Sequence, residues 1–134
     1  MTHKALKEIV FTPEVLPPRG PYAQAIKVSN VTSTIYTGTI TALDVDWNVV
    51  GAGDIRAQTR KTIENLELIL AAAGATLADV VKTTWYLTDI THMPIVAEIR
   101  NEMFKGAVPA SGTIPITGLY YPELLLEMEA IAVI

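Results

Sequence analysis

Cysteine is absent from all 134 residues, which excludes disulfides, thiolate metal centres and a cysteine nucleophile. Histidine is almost absent: His3 and His92 stand far apart in the chain and give no pair at ligand spacing, so no metal site is expected. Charge is scarce, at 18% of residues, and acidic in balance, with 10 Lys and Arg against 14 Asp and Glu. The basic residues are scattered, so no clustered positive face offers itself to nucleic acid. No apolar run approaches the ~18 residues of a membrane span, and "MTHKALKEIVF" lacks the apolar core of a secretory leader. The expectation is a soluble, cytoplasmic protein with neither nucleic acid nor membrane as partner. Glycine forms no phosphate cradle, because "GAGD" has neither the spacing nor the lysine of a P-loop.

What the chain has in excess is apolar surface. Half of its residues are hydrophobic and the mean hydropathy is +0.34, high for a chain that must cover a small body with polar groups. The length suits one domain spanning residues 1–134. The surplus implies burial against further copies in a closed cyclic oligomer.

Along the chain, residues 7–11 read as a short strand, ended by the turn-rich "TPEVLPPRG". "YAQAIKVS" and "TSTIYTGTI" then read as a strand pair turning near Ser29 and Asn30. The clearest element is a helix from Asp54 to Ala73, with Ile55, Ile63, Leu66, Leu70 and Ala73 on one face, Asp54 as cap and Gly74 as stop. A strand follows over residues 80–90. A second helix opens at Thr91 or His92, takes Pro94 in its first turn and runs to Phe104. "VPASGTIPITG" reads as an uncharged loop, and "LLLEMEAIAVI" as a closing strand in which Glu127 and Glu129 alternate with apolar neighbours. Strands separated by two helices predict an α+β sandwich, with both helices on one face of a mixed sheet.

Several separated segments, "RGPYAQAIKV", "IYTGTI", "DIRAQTRKTIENLELILAAAGATLADVVKTTWYLTDI" and the closing strand, together resemble the Rid/YjgF family of reactive intermediate deaminases, also called endoribonuclease L-PSP-like. The resemblance implies a chorismate-mutase-like α+β subunit, a homotrimer with sheets inward, and sites in the clefts between subunits. It further implies cofactor-independent hydrolysis of a small imine or enamine acid to a keto acid and ammonia. Such chemistry needs a cation for the substrate carboxylate, a placed water and an acid or base. Arginine serves the first task because its planar fork matches a carboxylate.

Carried over residue by residue, the resemblance implies a site tyrosine at Tyr22, a strand position at Thr37 and Gly38, and a water-orienting glutamate at Glu127. The family's Pro-Ala-Arg loop reads Pro109-Ala110-Ser111 here, and its site asparagine aligns with Ala97. The four arginines, Arg19, Arg56, Arg60 and Arg100, fall elsewhere in the chain, so the anion clamp is expected to be missing. Ser111, Gly112 and Thr113 offer hydroxyls and a pliant backbone for an oxyanion in its place. Two functions follow from this pattern. One is a hydrolase or deaminase of altered specificity, with Glu127 and Ser111 as its catalytic candidates; the other is a trimer that binds small metabolites or partner proteins without turnover. A ribonuclease activity, attached to some relatives, fits the acidic balance poorly. Ser111 as a nucleophile has no neighbouring histidine base in the sequence. Tyr120 and Tyr121, directly after the loop, are candidates to wall the cleft.

Overall fold

The computed structural model describes residues 5–134; His3 and the rest of the first four residues lie outside them. Its architecture is a mixed sheet with two helices on one face. Strand β1 (Leu6–Val10) pairs antiparallel with β2 (Ala25–Ser29), and Gln24 pins the proline-rich connection by bonding Thr12 and Leu16. Strands β3 (Thr34–Tyr36) and β4 (Ile40–Thr41) both pair with β7 (Leu126–Val133), which is antiparallel to β5 (Val80–Leu87). The final strand, β6 (Ala110–Pro115), runs parallel to β5. A bridge from Ala23 to Ala110 joins the β1–β2 ladder to that side of the sheet.

Two expectations from the sequence are corrected by these pairings. The predicted strand pair does not pair with itself: β2 takes β1 as its partner, and β3 crosses to β7. Local alternation identifies strands but carries nothing about which distant strand completes the ladder. The predicted "VPASGTIPITG" loop contains β6, because the crossover β5–α2–β6 returns the chain parallel to β5. Small polar residues disguise it; the pairing that makes it a strand is non-local.

Helix α1 (Ile55–Ala72) starts where Asp54 accepts a hydrogen bond from the Ala57 amide at 3.1 Å, and stops before Gly74 at φ +80°. Ile63, Leu66 and Leu70 are wholly buried, each stabilising the fold by about 1.5–3 kcal/mol. Ala73, expected on the buried face, is the exposed C-cap. Entry to α1 is tight: a Cβ on Gly51, at φ +78°, would lie 2.6 Å from that of Ala57. Gln58 is fully buried and ties the helix to the approach to β7, donating to Gly51 and Glu123 carbonyls and accepting from the Leu125 amide. Helix α2 (Met93–Phe104) packs beside α1, with exposed ion pairs Arg56–Glu98 and Arg60–Glu102 spanning the two.

Candidate functional site

The sheet has two chemically different faces, set by the alternation along β5. Thr83, Trp85 and Leu87 are buried toward the helices, whereas Thr84 and Tyr86 point to the other face. Cross-strand register extends both rows: Ser111, Thr83 and Ala130 share the helix side, while Gly112, Thr84 and Glu129 share the open side. Glu127 lies opposite Tyr86, hence also on the open side.

On the helix side, α2 delivers an arginine to the start of β6. Arg100 follows buried Ile99, lies four residues after Val96 and four before Phe104, and is itself only 7% exposed. Its Nη1 donates to Ser111 Oγ at 3.2 Å, and its Nε and Nη2 make long contacts of 3.4 and 3.5 Å with Asn101 Oδ1. Both partners are neutral. Among the described residues no carboxylate pairs with it, the two ion pairs being those of Arg56 and Arg60. Burial lowers the guanidinium pKa, and the Tyr22 phenol acts secondarily the other way.

The expectation that Arg100 falls elsewhere holds along the chain but not in space, because α2 packs it against Ser111. The charge absent from position 111 arrives from α2, and Arg100 and Ser111 touch although they sit on different elements. A signal existed in the sequence: Arg100 occupies the apolar stripe of its helix, a place where a solvated arginine does not belong. What the sequence lacked was the partner strand.

A cavity of about 410 Å³ opens beside this pair. It gathers Tyr22, Ser111, Gly112 and Thr113 from the expected site with Arg19, Ala97 and Arg100. Tyr22 is held by its own turn: its amide donates to the Gly20 carbonyl, and its hydroxyl accepts from the Arg19 amide at 3.2 Å. Behind Ser111 runs a short relay of hydroxyls. Trp85 Nε1 donates to Thr83 Oγ1 at 3.2 Å, and Thr83 Oγ1 bonds Ser111 Oγ at 2.9 Å.

Thr37 and Glu127 do not join this cavity within one chain. Thr37 stays at the β3–β7 seam, where its amide donates to the Ala130 carbonyl and its hydroxyl accepts from the Ala130 amide. Both polar groups of Thr37 are therefore already engaged within the chain. Gly38 beside it does not line the Arg100 cavity either. Glu127 belongs to an acidic group that also contains Glu129, whose Oε1 accepts from Tyr86 Oη at 2.7 Å. Burial, and secondarily the charge of Glu129, raise the Glu127 carboxyl above its ordinary value of 4.5. The Glu129 hydrogen bond likewise raises the Tyr86 phenol. Tyr86 and Glu129 were not expected in the site; register with Glu127 is what brings them in.

Tyr120 and Tyr121 do not line the Arg100 cavity within one chain. Tyr120 packs at a tilt against Trp47, with ring centroids 5.5 Å apart, and edge-on at 4.9 Å against Tyr121. Among the described residues no helix is long and apolar enough to cross a membrane, and no cluster of three His, Cys, Asp or Glu is placed to hold a metal ion.

Comparison with known proteins places this geometry. The sequence profile described as "Endoribonuclease L-PSP" matches residues 12–134. A RutC family protein of Pyrococcus abyssi is 40% identical over 126 residues, covering 94% of this chain and 96% of its own. A 2-iminobutanoate/2-iminopropanoate deaminase of Dermatophagoides farinae is 30% identical over 128 residues, covering 96% and 97%. Among solved structures, a Rid family protein of Yersinia pestis superposes with a TM-score of 0.84 at 28% identity, over 96% of this chain and 98% of that one.

Proposed function

Since the chain belongs to the Rid/YjgF family, the endoribonuclease L-PSP family, we propose that it is a cofactor-independent hydrolase that deaminates a small imine or enamine acid. The observation that carries this reading is the buried Arg100 guanidinium, which lies beside an open cavity with no carboxylate among the described residues paired to it. A buried charge without a partner is costly, and a substrate carboxylate is the group that satisfies it. Arg100, rather than a residue of the loop, then holds the carboxylate, and the imine carbon stands in the cavity. Water adds to that carbon, the nitrogen takes up a proton, and collapse of the carbinolamine gives the keto acid and ammonia. Glu127 moves the protons, being a carboxyl whose pKa is raised toward the range useful for transfer.

Arg100 and Glu127 occupy opposite faces of one sheet, so this chemistry requires a second copy. The open face of one subunit must close the cleft of its neighbour, as in the homotrimer that the resemblance implies.

The test is hydrolysis of freshly generated 2-aminoacrylate, whose imine tautomer is the simplest substrate of this class. Turnover by the native protein, abolished by Glu127→Gln and depressed by Arg100→Met, is the expected result. No turnover, with keto-acid binding retained, would leave a non-catalytic binding protein. A monomer in light scattering at micromolar concentration would remove the shared cleft.

A further inference from the structure

We propose that Ser111 is a fixed hydrogen-bond donor to the bound anion, forming with Arg100 a two-part receptor that selects a carboxylate. The inference deepens the reading of this cleft as an anion site and rests on it.

It follows from counting protons. Two donors in the relay cannot be reversed, because Trp85 Nε1 and Arg100 Nη1 each carry hydrogen and accept nothing. Trp85 therefore gives its proton to Thr83 Oγ1, and Arg100 gives one to Ser111 Oγ. Only the bond between the two hydroxyls has a direction to decide. If Ser111 donated to Thr83, the Thr83 hydroxyl would need another acceptor, yet Thr83 is wholly buried and Ser111 is the acceptor within its reach. A buried donor left without a partner costs about 1–3 kcal/mol. Thr83 consequently donates to Ser111.

Both lone pairs of Ser111 are then occupied, one by Thr83 and one by Arg100. Its own proton has no acceptor within that relay and turns to the cavity that Ser111 lines. A hydroxyl in this state is a poor nucleophile, since attack needs a free lone pair and a base to take the proton. It is a good donor, because the two bonds it accepts, one from a cation, polarise its O–H. The remaining guanidinium N–H groups stand alongside it. Together they present one charge and at least two donors at one place, which fits a planar carboxylate better than a neutral amide or alcohol.

The experiment is a double-mutant cycle read by equilibrium binding. Native protein, Ser111→Ala, Arg100→Met and the double variant are titrated with 2-oxobutanoate, a keto acid that cannot be deaminated, with 2-oxobutanamide as the uncharged control. Ligand-observed NMR reaches the millimolar range that the weaker variants need, and thermal unfolding reports whether each is folded. Ser111→Ala is expected to weaken 2-oxobutanoate binding about tenfold or more, as loss of a hydrogen bond to a charged group does. It should weaken the amide less. A further loss must persist when Ser111→Ala is added to Arg100→Met. If Ser111 merely braces the arginine, its replacement has no effect in that background, and the proposal is overturned. Failure of the native protein to bind 2-oxobutanoate at all overturns it too. The two readings fail separately: Ser111-dependent binding without imine turnover sinks the enzyme alone, and turnover with Ser111→Ala indistinguishable from native sinks the donor alone.

Discussion

The two sides of strand β5 make different chemistry from the same polar resources. Toward the helices, one arginine and two hydroxyls form a relay at the edge of the core, Thr83 wholly buried and Arg100 and Ser111 lining a cavity, with the geometry held from behind by Trp85. Toward the open face, two glutamates and Tyr86 crowd together with partial access to water. The first side supplies a positive charge in want of an anion, and the second a carboxyl reluctant to ionise. On the proposed reading, neither half is a complete site. The contrast teaches that the polar groups are divided across the thickness of the sheet, so that, on that same reading, assembly rather than folding brings the halves together.

The sharpest way to break that comparison is to remove one half at a time and then mix. Glu127→Gln is expected to lower kcat by about 10²–10⁴, the usual contribution of a positioned acid or base. Arg100→Met should instead act mainly on KM, by about 10–150-fold, as loss of charged hydrogen bonds does. Unfolding the two inactive variants together and refolding them should then restore activity, to about a quarter of native, because random assembly pairs an intact cation with an intact carboxylate in one cleft of four. No recovery after mixing would place both groups in the same subunit's site and end the two-face reading.

A smaller effect concerns pH. The Glu127 carboxyl is raised above 4.5, first by burial and then by Glu129, so its charged form is disfavoured in the folded chain. The stability it contributes is complete below pH 4.5 and is lost as the pH rises through its raised value. Activity that uses the ionised form runs the other way, rising through that value. In Glu129→Gln one of the two causes is gone, so the acid limb of the kcat profile should move down toward 4.5. A limb that stays in place would show that Glu127 is not the group being titrated. Smallest of all is Arg60→Ala on the helix surface, where the exposed pair with Glu102 is worth ~0–1 kcal/mol and thermal unfolding should barely shift.

Much of the scaffold was legible because it is periodic. Ile63, Leu66 and Leu70 announce α1 at helical spacing, and Glu127 and Glu129 announce β7 at a spacing of two. The pairing of β2 with β1, and the strand hidden in "ASGTIP", were not, since both depend on contacts that local pattern does not encode. The site divided in the same way. Tyr22, Ser111, Gly112 and Thr113 could be named from the resemblance, and they line one cavity. Arg100 is not legible as a neighbour of Ser111, because the two lie on different elements and only the packing of α2 on β6 joins them. Gln58 escaped notice for a related reason: a glutamine in a charged helical segment looks solvated until the carbonyls of Gly51 and Glu123 are seen to converge on it.

Trp85 stands three hydrogen bonds from the Arg100 guanidinium, through the hydroxyls of Thr83 and Ser111, and is wholly buried. The chain's other indole, Trp47, is 59% exposed and lies against Tyr120, away from the relay. The protein thus carries a built-in optical reporter with its own reference. On the proposed reading, an anion that settles on the guanidinium is expected to alter the field along the relay and shift the emission of the buried indole, with a water-soluble quencher silencing the exposed one, so that occupancy of the cleft can be read without a label or a turnover assay.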